Sequence, residues 1–343
     1  MTSPLEVIRS CALELGFNRL NVANVEAAPG IDNYDKYLSR GHHAEMGWMV
    51  RSRPPRAEPE LLLPGARSLI VFGVDYRHPR PARPNGVYGK VSSYAWGRDY
   101  HKMIGKRLLR MSKLLRKEFP SDGFYTGVDS RPFIERAWAE RAGTGYIGKN
   151  TMIISPSEGS FFFLAMLLTT LELEPTLPLS KEFCGRCRRC LDGCPTNAFV
   201  DAYQLDSRRC ISYLTIEHPG DIALEYREPI GDWLFGCDVC QDVCPHNHRL
   251  MLSKHPDLAP RPQQAWVSIE WLLNAPENEV LERFAGSPLR RAGYRRLQRN
   301  AAVVLGNQIR AEVPEAISLG SQLKGRHISP LVDRHLQWAM SAL

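Results

Sequence analysis

Apolar residues recur at helical spacing in PLEVIRSCALELGF, and RLNVANV directly after it reads as a strand. LLLPGARSLIVFGVDY supplies a turn and then a β-branched run from Leu69 to Val74, the pattern of a buried strand. A long amphipathic helix is predicted next. Ile104, Leu108, Met111 and Leu115 fall on one stripe, and Lys102, Lys106, Arg110 and Lys113 lie outside it. Arg131 to Ala142 reads as a further helix, with Ser130 as N-cap, Pro132 in the first turn and Gly143 at the end. TMIISPSEGSFFFLAMLLTTL reads as a hairpin of two apolar strands around a glycine-containing turn. LELEPTLPLS is a proline-punctuated linker. Beyond Cys244, a loop with Pro256, Pro260 and Pro262 leads to helical segments from Ser268 onward, with no clean internal period. The pattern predicts an α+β or α/β chain in three stretches, residues 1–175, 176–255 and 256–343.

With 343 residues, the chain is long enough for two or three cored domains. A hydrophobic share of 43% with 24% charged residues marks an ordinary globular protein. MTSPLEVIRSCALELGF lacks a basic region followed by an apolar one, and the longest apolar run, Phe161 to Leu168, is too short for a bilayer. The expectation is a cytoplasmic protein without a membrane partner. The net charge of +7 is a mild bias toward polyanions, so where it sits matters more than its size.

Eight of the nine cysteines fall between Cys184 and Cys244. A disulfide framework does not fit a long chain without an export signal; such clustering points to metal. Cys184, Cys187, Cys190 and Cys194 form C-x2-C-x2-C-x3-C-P. Three thiolates two residues apart can wrap three corners of a cubane, while the fourth is carried to a second cluster. Downstream, Cys237, Cys240 and Cys244 again end in Cys-Pro, and Cys210 completes the second half. By symmetry one 4Fe–4S cluster takes Cys184, Cys187, Cys190 and Cys244, and the other takes Cys194, Cys210, Cys237 and Cys240. Zinc would prefer paired C-x2-C knuckles. Cys11, on a predicted helix, reads as a plain buried thiol.

AERAGTGYIGKNTMIIS contains G-x-G-x-x-G and, overlapping it, G-x-x-x-x-G-K. A dinucleotide fingerprint follows a strand and opens a helix, whereas here the order is helix, glycines, strand; Asn150 also replaces the hydroxyl that a phosphate loop places on magnesium. The glycines read as a helix-to-strand turn whose bare backbone could lie against a large flat ligand. DYHKMIG nearly spells the D-x-H-x-x-G motif that gives cobalamin an axial histidine, but Ile104 stands where its glycine should be. His101 therefore reads as a polar residue at a helix start.

MGWMVR, LLPGARSLIV, SYAWGRDYHKMI, VDSRPFIERAWAERAGTGYIGKNTMII, CGRCRRCLDGCPTNA, RRCISYLTIE, GCDVCQDVCPHN and SPLRRAGYRRLQRNAAVVLGN together resemble the epoxyqueuosine reductase family, from about Glu45 to Asn307. The resemblance implies reductive removal of the epoxide oxygen of epoxyqueuosine at the wobble position (34) of the tRNA anticodon, the last step of queuosine synthesis. It implies base-off cobalamin besides the two clusters; an external low-potential electron donor and a monomer are further expectations. It implies an N-terminal α/β domain that holds cobalamin, a central ferredoxin-like module, and a HEAT-like helical tail that grips tRNA. Asp129, in VDSRP, matches the family's proton donor. Arg136 matches an arginine of the same pocket, although its residue pattern alone suits an i,i+4 partner of Glu140. The resemblance places Gly148, Lys149 and Asn150 along the corrin, Ser212 and Asp238 between cluster and cofactor, and Arg51 at a polar edge of the cofactor.

Leu281 to Asn300 holds six arginines against one glutamate. Arg291, Arg295 and Arg299, four apart, predict one exposed stripe opposite a buried stripe of Tyr294, Leu297, Ala301 and Val304. With Arg290 and Arg296 they are the expected phosphate contacts to tRNA. Three other readings compete, one of them an RNA-binding protein with a purely structural cluster, for which a crossed double cluster is more than the role needs. A reductive dehalogenase would need a small hydrophobic substrate, and a bare electron carrier would not need the long stretch before Cys184.

Overall fold

The computed structural model describes residues 3–180, 183–248 and 252–343. Its first helix, Pro4–Glu14, starts at a capping box: Glu6 N–H donates to Ser3 Oγ, and Ser3 N–H donates to the Glu6 carboxylate. The helix lies on a four-stranded sheet ordered Arg19–Asn24, Ser68–Asp75, Phe162–Thr169, Phe124–Gly127, with every neighbouring pair antiparallel. The N-terminal stretch is thus a helix-flanked antiparallel sheet, the α+β side of the expectation.

Alternation along Ser68–Asp75 explains why it is apolar on both faces. Ile70, Phe72 and Val74 pack with Ile8, Ile104 and Met111 under the helices Pro4–Glu14 and Tyr100–Glu118. Leu69 and Val71 point the other way, toward Trp138 of the helix Glu135–Arg141. The predicted stripe of Tyr100–Glu118 is buried at all four positions.

Two local readings are corrected. The helix expected over Arg131–Ala142 covers only Glu135–Arg141. Ser130 does not cap it: its hydroxyl donates to Val128 O at 3.2 Å, and Asp129 with φ +45° breaks any helical continuation. Gly143, with φ +75°, does end it. Nor do the apolar strands after Thr151 form one hairpin. Ile153–Ile154 pairs with Tyr146–Ile147, whereas Phe162–Thr169 joins the large sheet, and only a Ser155–Gly159 bridge links the two stretches. Phe162–Thr169 finds more burial between two partner strands than one neighbour could offer.

A three-stranded sheet ordered Trp233–Phe235, Tyr88–Val91, Trp266–Ser268 draws one strand from each of the three stretches read from the sequence. The largest core is likewise common to them, running from Val91 and Trp96 through Leu234 and Phe235 to Val304 and Leu336. The stretches are not separately packed bodies. At the centre lies the helix Tyr294–Arg310, buried at nearly every residue from Leu297 to Ile309. No described helix is long and apolar enough to cross a membrane.

Candidate functional site

Thiols from cysteine motifs far apart in sequence are brought near one another. Burial, and then the charges of Cys184, Cys244 and Cys187, push the Cys190 thiol up to about 11. Cys210 is raised by burial and then by Cys194. Cys237 is raised by burial and then by Cys210, Asp238 and Cys194, and Cys240 by burial and then by Cys237 and Cys210. Cys240 also feels the charge of Cys190, so the two groups of thiols adjoin one another. Four of them, Cys184, Cys187, Cys190 and Cys244, share a cavity of about 120 Å³ with Phe183, Lys149 and His246. Raised thiols favour the neutral form, and a bound cationic cluster reverses that preference. Cys11 is buried in the N-terminal core, as expected.

The glycine loop serves the chain's own packing. A Cβ on Gly143 would lie 2.4 Å from Leu177 O, one on Gly145 2.5 Å from Ile154 O, and one on Gly148 2.4 Å from Ile154 Cδ1. The space a side chain would fill is occupied by protein, so close packing within the chain by itself requires glycine at all three positions. Lys149 Nζ donates to Gly185 O at 2.6 Å and Cys187 O at 3.0 Å, and buried Asn150 donates to Cys240 O at 3.1 Å. The loop thus clamps both cysteine motifs. Asp238, 1% exposed, accepts from Arg80 at 3.0 Å, Ser93 N–H at 2.8 Å and the Ser92 hydroxyl. Ser212 hydrogen-bonds the thiol of Cys210. Arg51 is exposed at the end of the short helix Gly47–Arg51.

Asp129 sits just past the strand Phe124–Gly127, in a left-handed conformation that a non-glycine residue adopts at a cost. Its N–H donates to Glu135 Oε1 at 2.6 Å, which holds that conformation. Its Oδ2 accepts from the Tyr100 hydroxyl and lies 2.8 Å from His101 Nε2. The other face of the imidazole is taken by Asp99, the N-cap of Tyr100–Glu118: His101 Nδ1 lies 2.9 Å from Asp99 Oδ1. Sequence reasoning read His101 as a polar residue at a helix start and singled out neither Tyr100 nor Glu135. The one available signal, DYH at a helix start, could not disclose a partner 28 residues away.

The electrostatics follow this geometry. Partial desolvation by the surrounding protein would lift the half-exposed Asp129 carboxyl, but hydrogen bonds from His101 and Tyr100 and the charges of His101 and Arg291 hold it below the usual carboxylate range. Burial would depress His101, but its bonds to Asp129 and Asp99 win and raise it to about 9. Glu135 is raised by burial and by the neighbouring Asp129 charge. Tyr100 is raised by burial and then by the Asp129 charge, so it remains a donor.

Arg136 is exposed and donates to Thr151 O and, at 3.2 Å, to Thr151 Oγ1. It does not pair with Glu140, which accepts from Ile147 N–H at 2.7 Å.

The expected arginine stripe is not a single exposed face. Arg291 ends a 3-10 turn before Gly293 and is off the helix that carries Arg295 and Arg299. Arg299 is fully buried and donates to Leu214 O, His218 O and Gly220 O at 2.6–2.8 Å. Arg296 is half-buried and donates to Glu217 O and Arg291 O. Arg290, Arg291 and Arg295 are exposed, with Arg291 paired to Glu217 at 2.9 and 3.0 Å. Leu297, Ala301 and Val304 are buried as expected, and Tyr294 is partly so.

A larger cavity of about 770 Å³, lined by Glu14, Asp75, Lys106, Arg110 and Lys254, touches neither the cysteines nor Asp129.

Two family profiles match the chain: epoxyqueuosine reductase QueG, DUF1730, over residues 56–130, and a 4Fe-4S double cluster binding domain over residues 183–247. The epoxyqueuosine reductase of Pseudomonas aeruginosa is 42% identical, covering 97% of this chain and 92% of its own. That of Escherichia coli K12 is 39% identical, covering 99% and 91%. A crystal structure of epoxyqueuosine reductase with an epoxyqueuosine-modified tRNA-Tyr stem loop superposes with a TM-score of 0.89 at 30% identity, covering 98% of this chain and 89% of that one. The Bacillus subtilis epoxyqueuosine reductase, in a structure whose catalytic aspartate loop is swung out of the active site, superposes at 0.88 with 30% identity, covering 98% and 90%.

Proposed function

The chain belongs to the epoxyqueuosine reductase family, and from that premise we propose how its own residues perform the reaction. It is an oxidoreductase that removes the epoxide oxygen of epoxyqueuosine in tRNA. The conversion consumes two electrons and two protons and releases water. The substrate base is that of the wobble position, presented by the anticodon stem-loop.

Asp129 is the acid that protonates the departing oxygen. The observation that carries this is its geometry: a carboxylate in a left-handed, Glu135-pinned backbone, with Oδ2 engaged by Tyr100 and His101 and its side chain open to solvent. The swung-out catalytic aspartate loop of the Bacillus subtilis relative supports a mobile acid of this kind. Arg136, exposed one residue beyond Glu135, orients the substrate.

The two cysteine sets hold two 4Fe–4S clusters. We read the set of Cys184, Cys187, Cys190 and Cys244, beside exposed Phe183, as the entry from an external low-potential donor. The other set, beside buried Asp238, passes electrons inward. We propose base-off cobalamin as the group that would sit beside Asp129; His101, with both ring nitrogens engaged by carboxylates, would not be available to hold it. When bound, that group supplies low-valent cobalt able to reduce the epoxide carbon. Arg51 and Ser212 are the residues we assign to its edge. Lys149, Asn150 and Asp238 hold the cysteine motifs and act on it only through them. Arg290, Arg291 and Arg295 meet tRNA phosphates, while Arg299 and Arg296 are structural.

Asp129→Asn keeps the shape and removes the acid. Its turnover of epoxyqueuosine in tRNA should fall by roughly 10²–10⁴-fold, with iron content and tRNA affinity retained. Turnover within a fewfold of the parent would return Asp129 to a purely structural role.

A further inference from the structure

Epoxide removal draws two protons through one site, whereas a single carboxyl group carries one at a time. The surroundings of Asp129 hold a second proton carrier. We propose that His101, clamped between Asp99 and Asp129, is the reservoir that recharges Asp129, so that one carboxyl group delivers both protons. This rests on the reading of Asp129 as the acid.

The geometry sets the charge of the imidazole. Nδ1 lies 2.9 Å from Asp99 Oδ1, and Nε2 lies 2.8 Å from Asp129 Oδ2. A neutral imidazole has one N–H and one lone pair, so it would turn the lone pair on one of the two carboxylates. Only the imidazolium donates to both. Asp99 is fixed for this task, because its Oδ1 also accepts the His101 N–H at 3.1 Å as the cap of the helix. Tyr100 stacks on the His101 ring at 4.0 Å and donates to the same Asp129 oxygen, so the ring plane and the acceptor are set together.

The groups facing the imidazole come from several elements. Asp99 and Tyr100 lie on its own helix. Asp129 comes from the strand end, with Glu135 bonded behind it. Tyr94, from the preceding turn, and Arg291, from the tail, act on Asp129 and Tyr100. The balance leaves His101 raised to about 9 and Asp129 below the usual range, so at neutral pH the proton rests on the histidine.

The protons then balance. As the first C–O bond breaks, the His101 proton passes to Asp129 and from Asp129 to the oxygen, giving a hydroxyl. His101 is 36% exposed on its side chain and recovers a proton from solvent. The second proton follows the same route to the hydroxyl, which leaves as water. The two electrons come from the external donor that the established reaction already requires.

The test uses the full chain with its clusters, labelled with 15N-histidine, and the variants His101→Gln, Asp99→Asn and Asp129→Asn. The signal missing in His101→Gln should titrate near pH 9 in the parent. Its midpoint should fall by about one unit or more in Asp99→Asn and in Asp129→Asn. In kinetics the parent's turnover should decline as pH rises through that midpoint. Asp99→Asn should move this alkaline limb to lower pH. His101→Gln should abolish the limb and cut kcat by about 10²-fold, with KM for tRNA within about twofold. A histidine signal that titrates at the ordinary value, or a limb that stays in place in Asp99→Asn, overturns the relay. If His101→Gln does not fold, Asp99→Asn carries both readouts alone. If the NMR midpoints shift as stated but Asp129→Asn keeps its turnover, the acid assignment fails while the pairing stands.

Discussion

Arg299 and Arg291 share a composition signal and have opposite fates. Arg299 supplies donors to three carbonyls in the stretch Leu214 to Gly220, so it ties the central helix of the tail to the segment following Cys210. Arg299→Leu strands those acceptors at about 1–3 kcal/mol each. It should lower the apparent Tm by several degrees in a circular-dichroism melt and leave the salt dependence of tRNA binding as it was. Arg290, Arg291 and Arg295 are exposed, so a phosphate run can reach them, Arg291 by exchanging its pairing with Glu217. Replacing all three with Gln should weaken tRNA binding and flatten the log–log salt slope by about two to three units, measured by fluorescence anisotropy. An unchanged slope would make this a solvated face. Because the Arg291 charge also lowers the Asp129 carboxyl, the same variant should show that carboxyl titrating at higher pH.

Among the elements, the last helix, Pro330–Met340, contains a pH-sensitive joint. His335 is fully buried, accepts the Ile222 N–H on Nε2 at 3.1 Å and donates from Nδ1 to Leu331 O at 2.7 Å. Protonation would set an N–H against the Ile222 N–H, and burial pushes the group from 6.5 to about 4. Its folded-state value lies below its unfolded one, so the joint is intact above pH 6.5 and is lost as pH falls toward 4. The loss is worth about 3 kcal/mol. His335→Gln should therefore be flatter than the parent in stability between those pH values, as read by urea unfolding. The cysteine loops make a second element-scale prediction. Cys190→Ala and Cys194→Ala lie four residues apart in sequence but in different clusters. Each should reduce iron from about eight to about four per chain, with distinct EPR signals remaining. Loss of the same signal in both would undo the crossed pairing.

At the scale of the molecule, the three stretches marked by composition are bound by one small sheet and one core, so damage in one should be felt in the others. Gly89 lies where a Cβ would meet Leu234 at 2.7 Å. Gly89→Val should therefore weaken the strand that joins all three, reducing cluster retention and tRNA affinity together. Much of this was legible in the chain. The crossed cysteine spacing, the buried strand Ser68–Asp75 and the four-position stripe of Tyr100–Glu118 follow from local period and ligand spacing, which neighbours in sequence decide. The sequence by itself thus determined the two clusters, the helical tail and, through its motifs, the family. Only the tertiary structure decided which arginines are solvent-facing, which strand pairs with Phe162–Thr169, and what the glycine loop touches. It also turned a helix-start histidine into the partner of Asp129. Those outcomes depend on which distant groups compete for one buried place, and a chain read residue by residue contains the competitors but not the distances between them.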